Sequence, residues 1–282
     1  MPASMETVAI FGVGLIGGSF ALALRKAGFQ GRILGVSSPA TIERALELKV
    51  IDSGVTEEEA ATAADLIYLA EPIHRILERL PALNRCVKPE ALITDAGSTK
   101  STIVERASRE ISRCQFLGGH PLAGKERRGI DAADADLFVG RKYVLTPRSG
   151  ADTATPAAAL LLEWISKIGA IAVLADPDEH DRAVAYTSHL PQLASTALAA
   201  LLPENDRKID LSGPALVDMT RLALSPFETW HDIFSTNKPA IQQALSNYIR
   251  TLQAFSVMLD SQRMKEQFDR AAGAAKRLRS DE

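Results

Sequence analysis

Cysteine is nearly absent from this chain, with Cys86 and Cys114 the only two among 282 residues. Neither lies in CxxC or any other metal-ligand spacing. A disulfide scaffold and a cysteine-held metal are therefore not expected, and free thiols suit a reducing cytoplasm. Positive charge is not in excess either: the net charge is −3, which gives no basic field for nucleic acid and leaves small metabolites as the better-matched partners. No apolar run is long enough to span a bilayer. The opening residues MPASMETVAIFG lack the basic start and apolar core of a signal peptide. These absences together lead us to expect a cytoplasmic protein with neither a membrane nor a nucleic-acid partner. Repeats and low-complexity tracts are also missing.

The remaining composition is ordinary for a globular chain, 46% hydrophobic and 24% charged, and the length suffices for one large or two ordinary domains. Short apolar runs at 7–12, 32–37, 65–70, 91–96 and 115–119 alternate with helix-period stretches such as GGSFALALRKAG and SPATIERALELK. Further strand-like runs lie at 142–147 and 170–175, on either side of a helix expected over 156–168. That alternation predicts a parallel sheet covered by helices, an α/β Rossmann-type dinucleotide-binding domain over residues 1–175. From residue 176 the apolar spacing is helical, with breaks at Pro203, Gly213, Pro226 and Pro239. An all-α helical domain over 176–282 is the expectation.

In VAIFGVGLIGGSFALALRKAGF, Gly12, Gly14 and Gly17 stand in G-x-G-x-x-G spacing around Leu15 and Ile16. A buried strand precedes them and an amphipathic helix follows, the context in which this pattern binds a dinucleotide. Gly12 would make the tight turn, Gly14 would let the backbone approach a pyrophosphate, and Gly17 would let helix and strand pack closely. The phosphates would sit at the helix N-terminus, where free N–H groups and the dipole favour anions. A glycine-rich turn serving packing alone is the competing explanation. After the second strand no carboxylate awaits a ribose 2′-hydroxyl; Ser37, Ser38, Thr41 and Arg44 are there instead. Hydroxyls and a guanidinium suit a 2′-phosphate, so NADP is favoured over NAD. The alternative is that Ser38 and Thr41 merely start the next helix.

His120 stands in FLGGHPLAGKERRGI, between two glycines and a proline. A residue before proline avoids the α region, so the histidine is expected on a loop. A second loop, TDAGSTKST, carries Ser98 and Lys100. Both fall where strands of such a sheet end, the edge at which ligands bind. A hydroxyl and an imidazole there could polarise a substrate alcohol while a nicotinamide takes hydride. Ser98 could equally be the N-cap of the next helix. In the helical part, Asp218 and Arg221 lie three apart and could be a surface pair or a carboxylate clamp. His180, Asp181, Ser188 and His189 are open to similar double readings.

The order of GVGLIGGS, DAGSTK, GGHPLAG, HDRAVAYTSHLP and DMTRLALSPFETWHDIF…NK resembles the prephenate/arogenate dehydrogenase family of tyrosine biosynthesis, along nearly the whole chain. The resemblance implies a homodimer formed through the helical domain, an active site between the domains, and oxidative decarboxylation of a cyclohexadienyl substrate. It implies that His120 polarises the ring hydroxyl, that Ser98 bonds the same hydroxyl and orients the imidazole, and that Arg221 holds a substrate carboxylate. Glu126 and Asp218 would form an ionic network with Arg221, while His180, Asp181, Ser188 and Trp230 line or support the site. Three positions depart from the pattern. Gln192 replaces a histidine that faces the substrate in relatives, Lys125 stands where a threonine is frequent, and Val217 where some prephenate-preferring relatives have lysine. Losing those cationic or imidazole partners points toward use of arogenate. No fused mutase or regulatory module is expected, and tyrosine would inhibit at the active site itself. The rival readings are a β-hydroxyacid-type dehydrogenase, which would need a lysine in the helical part, and a dinucleotide sensor without catalysis.

Overall fold

The structure, a computed structural model, describes residues 5–202 and 207–280, so the expected break at Pro203 lies outside the described residues. Its sheet comprises β1 (Thr7–Phe11), β2 (Arg32–Val36), β3 (Ser53–Gly54), β4 (Leu66–Leu69), β5 (Leu92–Asp95), β6 (Gln115–Pro121), β7 (Lys142–Thr146) and β8 (Ile171–Leu174). They lie in the order β3-β2-β1-β4-β5-β6-β7-β8. Neighbours run parallel except β6 and β7, which are antiparallel. Five helices follow the first five strands in turn: α1 (Leu15–Lys26), α2 (Pro39–Glu47), α3 (Glu57–Ala63), α4 (Ile73–Cys86) and α5 (Ser101–Glu110). Helix α6 (Pro156–Lys167) joins β7 to β8.

Strand β1 is buried throughout, and its residues alternate between two cores. Val8 and Ile10 pack with Phe20, Tyr68 and Leu145 on one face, while Ala9 and Phe11 pack with Ile67, Leu69 and Ile93 on the other. A strand covered on both faces needs such a continuous apolar run, with a side-chain period of two. The second core also takes in Ile233, Ile241 and Ala244, so the helical half is built onto this face of the sheet.

Every described element after β8 is helical: α7 (Pro177–Val184), α8 (Leu190–Ala200), α9 (Arg207–Asp210), α10 (Pro214–Thr220), α11 (Phe227–Thr236), α12 (Lys238–Ser256) and α13 (Gln262–Ser280). A π-helical turn, Ala185–His189, joins α7 to α8. Pro191 follows it in the first turn of α8, where its missing N–H costs least. None of the described helices is long and apolar enough to cross a membrane.

Two expectations need correcting. The two-residue β3 is too short to leave an alternating pattern in the sequence, and it was not anticipated. His120 lies on β6, not on a loop: the strand continues through Pro121 and pairs antiparallel with β7, His120 opposite Val144. The proline does keep the preceding residue out of the α region, but the extended backbone it imposes is satisfied by a strand.

Candidate active site

The glycine loop opens at the C-terminal end of β1. Gly12 has φ +86°, and a Cβ there would come within 2.6 Å of the Ala70 carbonyl oxygen. A Cβ on Gly17 would meet the Gly12 carbonyl oxygen at 2.2 Å, so bare backbone is needed at both positions. Gly14, which precedes α1, differs, because a Cβ there would point into open space. No side chain caps the first turn of α1, and no acidic residue lies in it. Leu15 and Ile16 form that turn and are half-buried. An uncapped helix start with open space before it and no competing carboxylate is what a pyrophosphate requires, and these residues fit one.

The adenosine end is more heavily committed. Ser37 is half-buried just after β2. Ser38 is the N-cap of α2, accepting from the Thr41 N–H at 3.4 Å and lying 2.9 Å from the Thr41 hydroxyl. Arg44 is paired with Asp131 at 2.7 Å and Glu47 at 2.9 Å. The helix-starting role weighed for Ser38 and Thr41 is therefore present.

Around His120 the sheet and the helical half are joined by a chain of hydrogen bonds. Asp181 and His180 sit on α7, both buried. The Asp181 carboxylate can only accept, so His180 donates from Nδ1 to Asp181 Oδ1 at 2.8 Å. In a neutral His180 ring Nε2 is then the acceptor, and His120 Nδ1, 2.8 Å away, donates to it. That leaves the lone pair of His120 Nε2 free to take a proton. Burial, then the neighbouring His180, Lys100 and His189, push the His120 pKa well below the usual histidine range. Burial also lowers His189, to about 4. Although burial raises the Asp181 carboxyl, the His180 contact and two backbone N–H groups outweigh it and hold the group below its ordinary value.

Those two N–H groups belong to another helix. Asp181 accepts from Lys100 N at 2.7 Å and Ser101 N at 3.0 Å, capping α5 from across the domain boundary. Ser98 does not cap it, and no side-chain cap comes from α5's own preceding residue. Ser98 is instead half-buried on the wall of a cavity of about 380 Å³, together with Ile16, Arg128, Thr229 and Asp232. Among the described residues no hydrogen bond joins Ser98 to His120. The imidazole is oriented by His180, which corrects the part expected of Ser98.

The segment after His120 is held to the helical half at two points. Arg221, in the 3₁₀ turn Arg221–Leu224, pairs with Glu126 at 3.0 Å. Arg128 donates to the Thr229 hydroxyl on α11. Asp218 is exposed and makes no ion pair with Arg221; α10 ends at Thr220, before the arginine, so the two do not share one regular helix face. Lys125 is turned aside to Asp134 at 2.7 Å. Gln192 is buried, and its amide donates to the Leu222 carbonyl at 2.9 Å, holding the turn that carries Arg221. Trp230 donates from its indole to Ser225 at 2.9 Å and meets the edge of His189, whereas Ser188 is exposed on the π-helical turn.

Two buried groups beneath the site went without a role in the sequence. Asp95, the last residue of β5, accepts from Gly119 N at 3.1 Å and Gly97 N at 2.8 Å. It also forms an ion pair with Lys100, and neither side chain is exposed. Position in TDAGSTKST was the only signal for either.

Comparison with known proteins gives a consistent picture. Residues 20–174 match the family model "Prephenate dehydrogenase, nucleotide-binding domain", and residues 176–271 match "Prephenate dehydrogenase, dimerization domain". The prephenate dehydrogenase of Lactococcus lactis subsp. cremoris is 33% identical over 94% of this chain and 75% of that protein. The crystal structure of prephenate dehydrogenase from Aquifex aeolicus, in complex with hydroxyphenyl propionate and NAD+, superposes with a TM-score of 0.88 at 29% identity, covering 100% of this chain and 99% of that one. Synechocystis arogenate dehydrogenase superposes at 0.78 with 32% identity, covering 98% of each chain.

Proposed function

The chain belongs to the prephenate dehydrogenase family, and on that premise we propose that it oxidatively decarboxylates prephenate or arogenate with a nicotinamide dinucleotide as hydride acceptor. One observation carries this reading at the level of atoms. The Asp181–His180–His120 chain fixes a neutral imidazole with a free acceptor nitrogen at the edge of the sheet where the glycine loop opens.

His120 Nε2 takes the proton of the ring hydroxyl as the C–O bond gains carbonyl character. The charge that develops on the imidazole is shared through Nδ1–H with His180 and the Asp181 carboxylate. Gly12, Gly14, Gly17 and the N–H groups of Leu15 and Ile16 would hold the pyrophosphate of a nicotinamide dinucleotide, which when bound would supply the acceptor for the hydride of the hydroxyl-bearing ring carbon. Loss of the ring carboxylate as CO₂ makes the ring aromatic, and the proton on His120 returns to the phenol oxygen. Ser98 bonds the hydroxyl. Arg221 exchanges Glu126 for a substrate carboxylate, with Trp230, Ser188 and Gln192 around the substrate.

Finer features belong to the same reading. NADP is favoured, because β2 is followed by Ser37 and Ser38 with no carboxylate, and Arg44 can exchange Asp131 for a 2′-phosphate. Arogenate is accepted, because Gln192 and Val217 offer no cation for a keto acid. A homodimer forms through the helical half, where Leu211 (88% exposed), Leu224 (85%) and Val257 (84%) are uncovered. The free thiols of Cys86 and Cys114 favour a cytoplasmic location.

Initial rates with prephenate and arogenate, each paired with NAD and with NADP, test the whole reading. Turnover is expected, with arogenate accepted and NADP preferred. No turnover of either acid by folded protein overturns the function. A strong preference for prephenate overturns only the arogenate extension, and a higher kcat/KM with NAD overturns only the cofactor choice.

A further inference from the structure

Lys100 is the residue whose placement is hardest to explain by packing. Its side chain has no exposed surface at all, and an ion pair so deeply buried gives little stability that an apolar pair would not. Lys100 cannot touch a substrate from there. It does touch both sides of the site: its backbone N–H donates to Asp181 Oδ1 at 2.7 Å, and its ammonium donates to the Gly119 carbonyl at 2.8 Å and to Asp95. Gly119 is the residue before His120, and Asp181 is the far end of the chain that orients the His120 ring. The bonds close a circuit from His120 through His180, Asp181, Lys100 and Gly119 back to His120.

We propose that Lys100 is a positioning residue for His120, holding the strand that carries the imidazole with its buried ammonium and the helix that orients it with its backbone N–H. This rests on His120 being the base of the proposed reaction. Asp95 completes the clamp by accepting the Gly119 N–H at 3.1 Å, so both backbone polar groups of Gly119 are held. The charged and titratable groups acting on the His120 ring come from several elements: His180 from α7, His189 from the π-helical turn and Lys100 from the start of α5, with Asp181 bonded behind His180 and Asp95 behind Lys100. From β7, the residue opposite His120 is the uncharged Val144. With Lys100 removed, the Gly119 carbonyl loses its donor and the Asp95 carboxylate remains as an uncompensated anion. His120 should then wander from its productive place and take a proton at higher pH.

The test uses Lys100→Met and the double variant Asp95→Asn/Lys100→Met, which leaves no unpaired charge. For each, kcat, KM, dinucleotide affinity and the NMR titration of the His120 ring are measured, the ring signal being assigned by its loss in His120→Asn. In Lys100→Met, kcat should fall about 10- to 100-fold, the scale on which a metal-bound imidazole suffers when its outer hydrogen-bond partner is lost. The His120 titration should move to higher pH, with dinucleotide affinity unchanged. In the double variant the titration should return toward its original position while kcat stays low, because the anchor on Gly119 is still missing. An unaltered kcat in Lys100→Met overturns the proposal. A fall in kcat with an unmoved titration, or failure of both variants to fold, assigns the pair to core stability and overturns it as well. The titration needs no substrate, so the clamp can be read even if wild-type protein turns over neither acid and the proposed function falls.

Discussion

Two helices begin at the same edge of the sheet, and their first turns are treated in opposite ways. Helix α1 starts at Gly14 with no side-chain cap, no acidic residue and open space before it. Helix α5 starts with its N–H groups already filled by Asp181, a carboxylate reaching across from the helical half. Every helix N-terminus carries free donors and a partial positive charge. Left open, that charge is a socket for a ligand's phosphate. Filled by a residue of the protein itself, it becomes a fastener, here fixing α7 and therefore His180 and His120. Sequence motif alone does not distinguish the two; what matters is whether an internal anion arrives first.

Four experiments would break or sharpen this contrast. The largest effect is expected from His120→Asn, which removes the proposed base and should lower kcat by about 10² to 10⁴-fold, the range for a positioned acid–base group. Dinucleotide affinity, which we propose is set at the α1 socket, should survive; its loss in equilibrium binding would show that the two sites are not separate. Asp181→Ala opens the α5 fastener and frees His180. We expect about 2 kcal/mol less stability, from an emptied cap with buried donors left unpaired, and a lower kcat as well; denaturation and steady-state rates report each. Gly14→Asp does the reverse, closing the α1 socket with an internal carboxylate. Stability should change by no more than about 1 kcal/mol, as a new cap forms, while dinucleotide affinity drops about tenfold or more from the competing charge. Unchanged affinity by calorimetry would mean that the socket is not where the phosphates bind.

The smallest effect concerns pH. His189 in the fold is held at about 4 against an ordinary 6.5, chiefly by burial, and His120 is lowered as well. The unfolded chain therefore binds protons that the folded chain refuses. Stability from these groups is complete above the ordinary histidine value and is lost as pH falls toward about 4. Urea midpoints should decline through that window, and less so in His189→Asn. For the same reason the acid limb of kcat/KM should lie below the usual histidine range.

Much of this could be read from the chain before its shape was known. The run TVAIFG, the three glycines and the following helix were legible because strand, turn and helix are local, each stated within a dozen residues. The change of texture near residue 175 was legible for the same reason. The cap on α5 was not: Asp181 lies 81 residues from Lys100, and the nearer Ser98 looked equally suited to capping. His120 was misplaced because a Gly-Gly-His-Pro stretch suits a loop as well as a strand, and only pairing with β7 decides between them. The burial of Lys100 left no trace, since lysine beside a helix start ordinarily reads as solvent-facing.

Only two tryptophans occur in the chain, and they occupy very different surroundings. Trp164 on α6 meets Phe29 edge-on at 5.4 Å and carries the Lys167 ammonium 4.5 Å above its ring. Trp230 stands against His189 at 6.0 Å on the helical side of the site. Replacing Trp164 with phenylalanine would leave a single tryptophan beside an imidazole that stays uncharged down to about pH 4. Emission from such a protein would give an optical record of events at the domain seam, with no added label.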